Sequence, residues 1–153
     1  ENTQKMPVRA SDATWVVDRI QLPVGEHLNE EDLLSRIGDT AAKELDRKEA
    51  ARNLAWLRRS EAGRGNVLGC LKLGSVQILH CPGEMVVEYQ LAAQKMLPDQ
   101  FICLAAYGDY GPGYVCLTEH YAQGGYEASQ QASRVAPSVE AVLMPAIQSI
   151  LER

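Results

Sequence analysis

The fold class follows from the stretch LGCLKLGSVQILHCPGEMVVEYQLAAQKMLPDQFICLAAY, residues 68–107. Two short β-rich runs flank Gly74-Ser75, which suits a two-residue hairpin turn. Apolar residues then recur at helical spacing over residues 85–97, and another β-rich run occupies residues 100–107. Strand, turn, helix, strand is the order of a parallel βαβ unit. The sequence therefore predicts an α/β fold, a mixed sheet with a hairpin and a βαβ unit flanked by helices, as part of a larger domain.

The register of the hairpin follows from its turn. If the turn is Gly74-Ser75, the expected pairs are Leu73 with Val76, Leu71 with Ile78, and Gly69 with His80. Alternate residues share a face, so His80 is expected on the apolar face of the hairpin. A histidine in that position is more often a packed core residue than a metal ligand.

The flanking segments predict further strands and helices around this unit. Residues 14–22 are β-rich and predict a strand, Asn29 is expected to cap a short helix that stops at Gly38, and Asp39 is expected to cap the next helix, which runs to Gly63. Residues 121–133 are expected to be irregular, and Pro137 is expected to open a last helix. Residues 1–13 are predicted to be a flexible linking segment, and residues 14–153 a single α/β domain or the C-terminal portion of a larger one.

Composition narrows the classes of partner. The 153-residue chain has 15 Lys and Arg against 20 Asp and Glu, a net charge of −5, which disfavours nucleic acid and anionic lipid. No apolar run reaches the roughly 18 residues that span a bilayer, so no transmembrane segment is expected. Four arginines lie in or just after the predicted second helix: Arg52, Arg58, Arg59 and Arg64. They could form a phosphate-binding patch, but interleaved acidic residues favour the solvated face of an amphipathic helix.

The spacing of the four cysteines in the sequence does not match a metal-binding motif. Cys70, Cys81, Cys103 and Cys116 include no CxxC pair and have apolar neighbours. We expect small buried hydrophobic residues, with one disulfide and a reactive thiol as the alternatives.

Two loops are the candidates for chemistry. The carboxyl ends of the two strands of the βαβ unit are followed by residues 81–84 and 107–114, which should meet at one edge of the sheet. Residues 108–127 are rich in glycine and hold four of the six tyrosines, a composition that suits either a binding loop or an ordinary surface loop over packed aromatics. Glu84 follows a Pro-Gly turn and is expected in the first helical turn, where its carboxylate could ligate zinc or have no chemical role.

Three segments together resemble the neutral/alkaline (non-lysosomal) ceramidase family, especially its shorter bacterial relatives of unassigned activity. They are LGSVQILHCPGEMVVEYQLAAQ, AAYGDYGPGYV and TEHYAQGGYE, and the resemblance covers about residues 66–153. It implies an α/β catalytic domain in which one zinc, held by two His, a Glu and a Tyr, activates water to attack an N-acyl amide. By position the resemblance implies Glu84 as the Glu ligand and Tyr114 as the Tyr ligand, with Tyr110 as the competing choice. Tyr110 and Tyr126 would then be catalytic, with Tyr121 and Glu127 around the site.

This sequence departs from the family pattern at the histidines. His27, His80 and His120 match neither of the family's two His ligands. We therefore expect the C-terminal part of a zinc-dependent amidase, inactive alone, which binds zinc only when upstream His ligands are present. The expected partners are the N-terminal part of the same protein or a second copy, with an N-acyl lipid or another amide as substrate. An exposed apolar surface should mark where that partner packs, and the resemblance favours export to the periplasm or outside.

Two alternatives remain open. A non-catalytic ligand-binding or assembly module would keep the Tyr-rich and Gly-rich loop but hold no metal. A self-contained metal site would use His80, Glu84 and His120, with both histidine nitrogens about 2.0–2.1 Å from one ion.

Overall fold

The computed structural model describes residues 7–109 and 111–153 of the chain. The strands are β1 (Ala13–Ile20), β2 (Asn66–Leu73), β3 (Val76–His80), β4 (Glu84–Met85), β5 (Phe101–Ala105) and β6 (Tyr114–Val115). The helices are α1 (Glu30–Gly38), α2 (Glu44–Glu61), α3 (Val87–Met96), α4 (Thr118–Gln123) and α5 (Val139–Glu152), with a 3-10 turn at Ala10–Asp12. This mixture of helices and strands confirms the predicted α/β class.

The main sheet has the order β1-β2-β3-β5 and contains both predicted units. In the β2–β3 hairpin Leu73 pairs with Val76, and Gly69 pairs with His80, so the predicted register is confirmed. Gly74 has φ 59°, a left-handed conformation that glycine adopts without steric cost. The β3 and β5 strands are parallel, and α3 forms the crossover between them, which confirms the βαβ unit.

The two faces of this sheet differ in burial. Helices α3 and α5 contact the sheet, and the core on that side includes Leu68, Leu79 and Ile102. On the opposite face of the sheet, the edge strands β1 and β5 present Trp15 and Phe101. Their side chains are 54% and 66% exposed. The expected exposed apolar surface is therefore present on one face of the sheet.

Helices α1 and α2 pack on each other around a smaller cluster that includes Leu33 and Leu54. The predicted cap of α1 is confirmed, because the Asn29 side chain accepts a hydrogen bond from Asp32 N at 3.1 Å. The predicted cap of α2 is wrong. The Asp39 carboxylate instead accepts from Ala41 N at 2.9 Å, a local turn that competes with helix formation, and α2 begins only at Glu44.

The segment expected to be irregular is only partly so. Residues 118–123 form the short helix α4, which ends at Gly124 with φ 82°. Turns follow to the bridge between Gly113 and Ser133, and α5 begins at Val139, close to the predicted position.

All four cysteines are free thiols, and Cys70, Cys81 and Cys116 are buried, as expected for small hydrophobic side chains. Burial raises the pKa of Cys81 to about 12, so this thiol stays protonated and unreactive at neutral pH.

Across residues 7–109 and 111–153, no helix combines the length and the apolar character required to cross a membrane.

Candidate functional site

The two loops predicted to meet at one sheet edge do meet there. They pair as the short parallel strands β4 and β6, in which Glu84 lies beside Tyr114 and Met85 beside Val115. Glu84 N donates to Gly113 O at 2.8 Å, and Val86 N donates to Val115 O at 3.2 Å. The backbone of residue 84 is therefore extended, and α3 begins only at Val87. The expectation that Glu84 lies in the first helical turn is wrong, because its main chain is used by this strand pair.

Glu84 and Tyr114 also contact each other through their side chains. The nearby Glu84 carboxylate, as an acceptor for the Tyr114 hydroxyl group, raises the pKa of Tyr114 to about 12. Desolvation and the negative charges of Glu84 and Glu127 act in the same direction. The phenol is therefore neutral at physiological pH and remains a hydrogen-bond donor.

A second tyrosine packs on this pair. The rings of Tyr114 and Tyr126 have centroids 5.9 Å apart in an edge-to-face arrangement, and Tyr126 is exposed. The structure thus brings together three of the predicted site residues, Glu84, Tyr114 and Tyr126, with Glu127 close to Tyr114. Tyr110, the fourth predicted site residue, lies outside the described residues. Tyr121 hydrogen-bonds Ser133 Oγ at 3.0 Å and lines a separate cavity of about 290 Å³.

Tyr107 is a neighbour of Tyr114 that the sequence analysis did not single out. Its φ is 65°, and it is the one non-glycine residue with positive φ in the described part of the chain. The conformation costs of order 1–3 kcal/mol and commonly occurs at functional sites. It is fixed by two hydrogen bonds, from Tyr107 N to Gly83 O at 2.7 Å and from Gly108 N to Cys81 O at 3.0 Å. The sharp turn directly after β5, at Tyr-Gly, is the signal that could have indicated it.

Two glycines allow the site loops to approach each other. Gly83 has φ 74°, and a Cβ added there would lie 2.6 Å from Gly113 O. Gly113 has φ 69°, and its added Cβ would lie 2.3 Å from Ala132 O. A larger residue at Gly83 would push β4 and β6 apart, and one at Gly113 would push the start of β6 away from Ala132.

An ion pair anchors the loop that leads to Tyr114. Asp109 accepts two hydrogen bonds from Arg59, at 3.0 Å to Oδ1 and 2.7 Å to Oδ2, and a third from Asn66 Nδ2 at 3.1 Å. The hydrogen bond from Arg59 is the main cause of the lowered pKa of Asp109. Asp109 O also accepts from Gly83 N at 3.1 Å, which ties this anchor to the Glu84 loop. This pair cannot be predicted from the sequence, in which the interleaved acidic residues indicate that Arg59 lies on the solvated face of the helix.

The histidines lie in three different environments. The ring of His80 packs edge-to-face on Trp15, with centroids 6.2 Å apart, and contacts Gly108. His120 Nδ1 accepts from Leu117 N at 3.4 Å within α4. Desolvation lowers the pKa of His27, whose Nε2 atom is buried.

The three histidines do not form a metal site with the acidic residues or cysteines of the described part of the chain. Among residues 7–109 and 111–153, no group of three or more His, Cys, Asp or Glu side chains has the arrangement to hold a metal ion. The self-contained site of His80, Glu84 and His120 is therefore not supported. Glu84 and Tyr114 offer two oxygen donors that suit zinc, but a catalytic zinc normally has three protein ligands. The described residues alone do not fit a complete zinc centre.

A cavity of about 380 Å³ lies beside the pair. Glu127 and Val86, which neighbour Tyr114 and Glu84, belong to its wall, together with Cys116 and His120. Its carboxylates and apolar side chains suit a ligand with both polar and apolar parts, although neither Glu84 nor Tyr114 lines it.

Comparisons with known proteins give only partial likenesses. No protein-family profile matches the chain, and no curated protein sequence matches it. A solved structure described as a ceramidase complexed with C2 matches 54% of this chain and 13% of its own, with 21% identity and a TM-score of 0.42. The neutral ceramidase from Pseudomonas aeruginosa matches 88% of this chain, with 17% identity and a TM-score of 0.49. The matched part spans 23% of that chain, and neither likeness assigns this chain to a family.

Proposed function

We propose that Glu84 and Tyr114 form one side of the zinc site of an amide hydrolase, whose remaining ligands come from another polypeptide segment. The observation that carries this proposal is the pairing of β4 with β6, which places Glu84 beside Tyr114 at the carboxyl edge of the sheet. Carboxylate oxygen is a common zinc ligand, and phenol oxygen can either ligate or donate to a substrate oxygen. Zinc, when bound, would polarise an amide carbonyl and activate a water molecule.

The residues of this chain have separate roles in the proposal. Glu84 holds the metal through its carboxylate. Even the ordinary tyrosine pKa of about 10 keeps Tyr114 protonated at neutral pH, so once Glu84 turns to the metal the Tyr114 hydroxyl group can donate to the oxygen that becomes negative during amide cleavage. Tyr126 packs on the Tyr114 ring and limits its movement. Tyr110 remains a predicted catalytic residue.

The second segment supplies the two missing ligands. The open sheet face, with Trp15 and Phe101 exposed, offers it an apolar surface on which to pack. In this proposal the chain alone binds zinc weakly and hydrolyses little, since two donors do not make a stable catalytic centre.

The proposal is tested by measuring the zinc content and the amide-hydrolysis rate of the protein expressed from its native gene. We expect Glu84→Gln to lose zinc, whereas Glu88→Gln, a matched control on α3, keeps it. Tyr114→Phe separates the two roles of the phenol. Retained zinc with a rate lowered about 10²–10³-fold indicates a donor to the developing oxyanion, and lost zinc indicates a ligand.

A non-catalytic ligand-binding module of the same fold is the second candidate. The observation in its favour is that the described residues hold no group of three metal-ligating side chains. Purified protein that contains no zinc and hydrolyses no N-acyl amide would support the module and refute the hydrolase.

A further inference from the structure

Five arginines from separate parts of the chain surround two cavities that share Arg59. The first cavity, of about 510 Å³, is lined by Arg52, Ala55, Trp56, Arg59, Gly111 and Arg134. The second, of about 650 Å³, is lined by Arg19, Arg59, Gly63, Arg64 and Gly65. We call the two cavities together the arginine groove. It lies beside Asp109 and Gly111, which precede Tyr114 in the chain.

The charge in the groove contrasts with that of the whole protein. The chain has a net charge of −5, yet no carboxylate among residues 7–109 and 111–153 lines either cavity. The five guanidinium groups are bonded to only two carboxylates, those of Asp109 and Glu49. Within the described residues, the side chains of Arg19 and Arg64 have no hydrogen-bonded or ionic partner. The groove therefore carries an uncompensated positive charge.

The inner wall of the groove is held rigidly. The buried Trp56 ring donates from Nε1 to Arg134 O at 3.1 Å. Arg134 is itself fixed, because its Nε donates to Asn53 Oδ1 at 2.6 Å and its Nη2 pairs with Glu49. Gly111 lies flat on the indole, where an added Cβ would be 2.7 Å from Trp56 Cε3. A ligand would therefore bind against side chains that are already fixed, those of Trp56 and Arg134. The exposed guanidinium groups at the edge of the groove would be free to adjust to it.

Three of the four arginines first assigned to a solvated helix face line the groove. Two of the four nevertheless make the surface ion pairs that this assignment predicts: Arg58 with Glu30, 2.9 Å from Nε to Oε1, and Arg52 with Glu49, 3.2 Å from Nη1 to Oε2. Arg52, Arg59 and Arg64 turn toward the cavities.

We propose that the arginine groove binds the phosphate group of a small molecule. Three arginines line each of the two cavities, which favours a dianion with oxygens on several sides, and the planar fork of arginine matches phosphate oxygens in pairs. Arg59 is engaged by Asp109, so the ligand binds chiefly in the second cavity, through Arg19 and Arg64. This site is independent of the Glu84–Tyr114 pair.

Isothermal titration calorimetry with inorganic pyrophosphate tests the proposal on the whole chain at low salt. The wild type should bind one pyrophosphate saturably. Because each of these arginines would lose a charge-assisted hydrogen bond to the ligand, Arg19→Gln and Arg64→Gln should each weaken binding at least about tenfold. Both arginines are exposed and unpaired, so these variants should fold normally. Arg36→Gln on α1 removes the same charge elsewhere and should change the affinity less than twofold, as should Glu84→Gln.

Three results would overturn the proposal. The first is no saturable binding of pyrophosphate by the wild type. The second is an equal loss in Arg36→Gln and Arg64→Gln, which would show an effect of net charge alone. The third is binding to vesicles that contain phosphatidylglycerol without binding of soluble pyrophosphate, which would assign the groove to a membrane surface.

Discussion

Replacing Asp109 by alanine should destabilise the protein by removing the anchor of the Tyr114 loop. The carboxylate accepts two hydrogen bonds from Arg59 and one from Asn66. In the variant Arg59 keeps only its bonds to the carbonyl oxygens of Arg64 and Gly65, and the Asn66 amide loses its acceptor. Asn66 is 2% exposed, so water cannot readily replace that acceptor.

The size of the effect follows from these losses. An unsatisfied buried amide costs about 1–3 kcal/mol. The Arg59 and Asp109 side chains are 35% and 22% exposed, so their pair lies between a surface ion pair at about 0–1 kcal/mol and a buried one at about 3–5 kcal/mol. The combined loss should be about 3 kcal/mol, which for a domain of this size lowers Tm by about 6–12 °C.

Urea unfolding at pH 7 and thermal scans measure this loss. The matched control is Asp18→Ala, because Asp18 also pairs with an arginine through both oxygens, Arg153 at the C-terminus. That pair is more exposed and holds no buried amide, so its loss should cost less than about 1 kcal/mol. Equal losses in the two variants would refute the reasoning.

The pH dependence gives a second check. The folded pKa of Asp109 is lowered, so its contribution is fully present above the ordinary Asp pKa of 3.8 and is lost as the pH falls through the folded value. The difference in stability between wild type and Asp109→Ala should therefore be constant near pH 7 and shrink below about pH 4. A difference that is unchanged down to pH 2 would contradict the assigned cause.

Three further predictions concern the site and the open sheet face. Gly83→Ala should cost at least about 1–3 kcal/mol in urea unfolding because of its φ of 74° and its contact with Gly113 O, whereas Gly38→Ala, with open space around it, should be neutral or stabilising. Glu84→Gln should lower the Tyr114 pKa from about 12 toward 10, measured by NMR of the tyrosine ring; an unchanged value would exclude the hydrogen bond as the cause. The exposed Trp15 should show fluorescence that shifts to shorter wavelength as protein concentration rises if a second copy covers the sheet face, and Trp15→Lys should abolish the shift.

Much of the fold could be predicted from local patterns. The hairpin register, including Gly69 opposite His80, followed from one turn dipeptide and the alternation of side chains. The parallel pairing of β3 with β5 followed from the order strand, helix, strand. The start of α2 was misplaced because the Asp39 side chain closes a local turn.

Part of the candidate site could also be predicted. Glu84, Tyr114 and Tyr126 were named from the resemblance of their motifs, and the structure brings them together, although their chemical roles remain proposals. Tyr107 was missed because its positive φ depends on hydrogen bonds to residues 81–83, which no local pattern specifies.

The amino-acid sequence was sufficient for features that depend on near neighbours, such as the strand faces, the Gly74-Ser75 turn and the cap at Asn29. The tertiary structure was needed for features that depend on residues far apart in the sequence. Glu84 and Tyr114 are joined by a strand pair, Arg59 is joined to Asp109, and Arg19 and Arg134 are brought to one groove. The physical reason is that periodicity encodes which face of an element is apolar, whereas the choice of partner for a charged or polar side chain is set by whichever group the packed chain places within hydrogen-bonding distance.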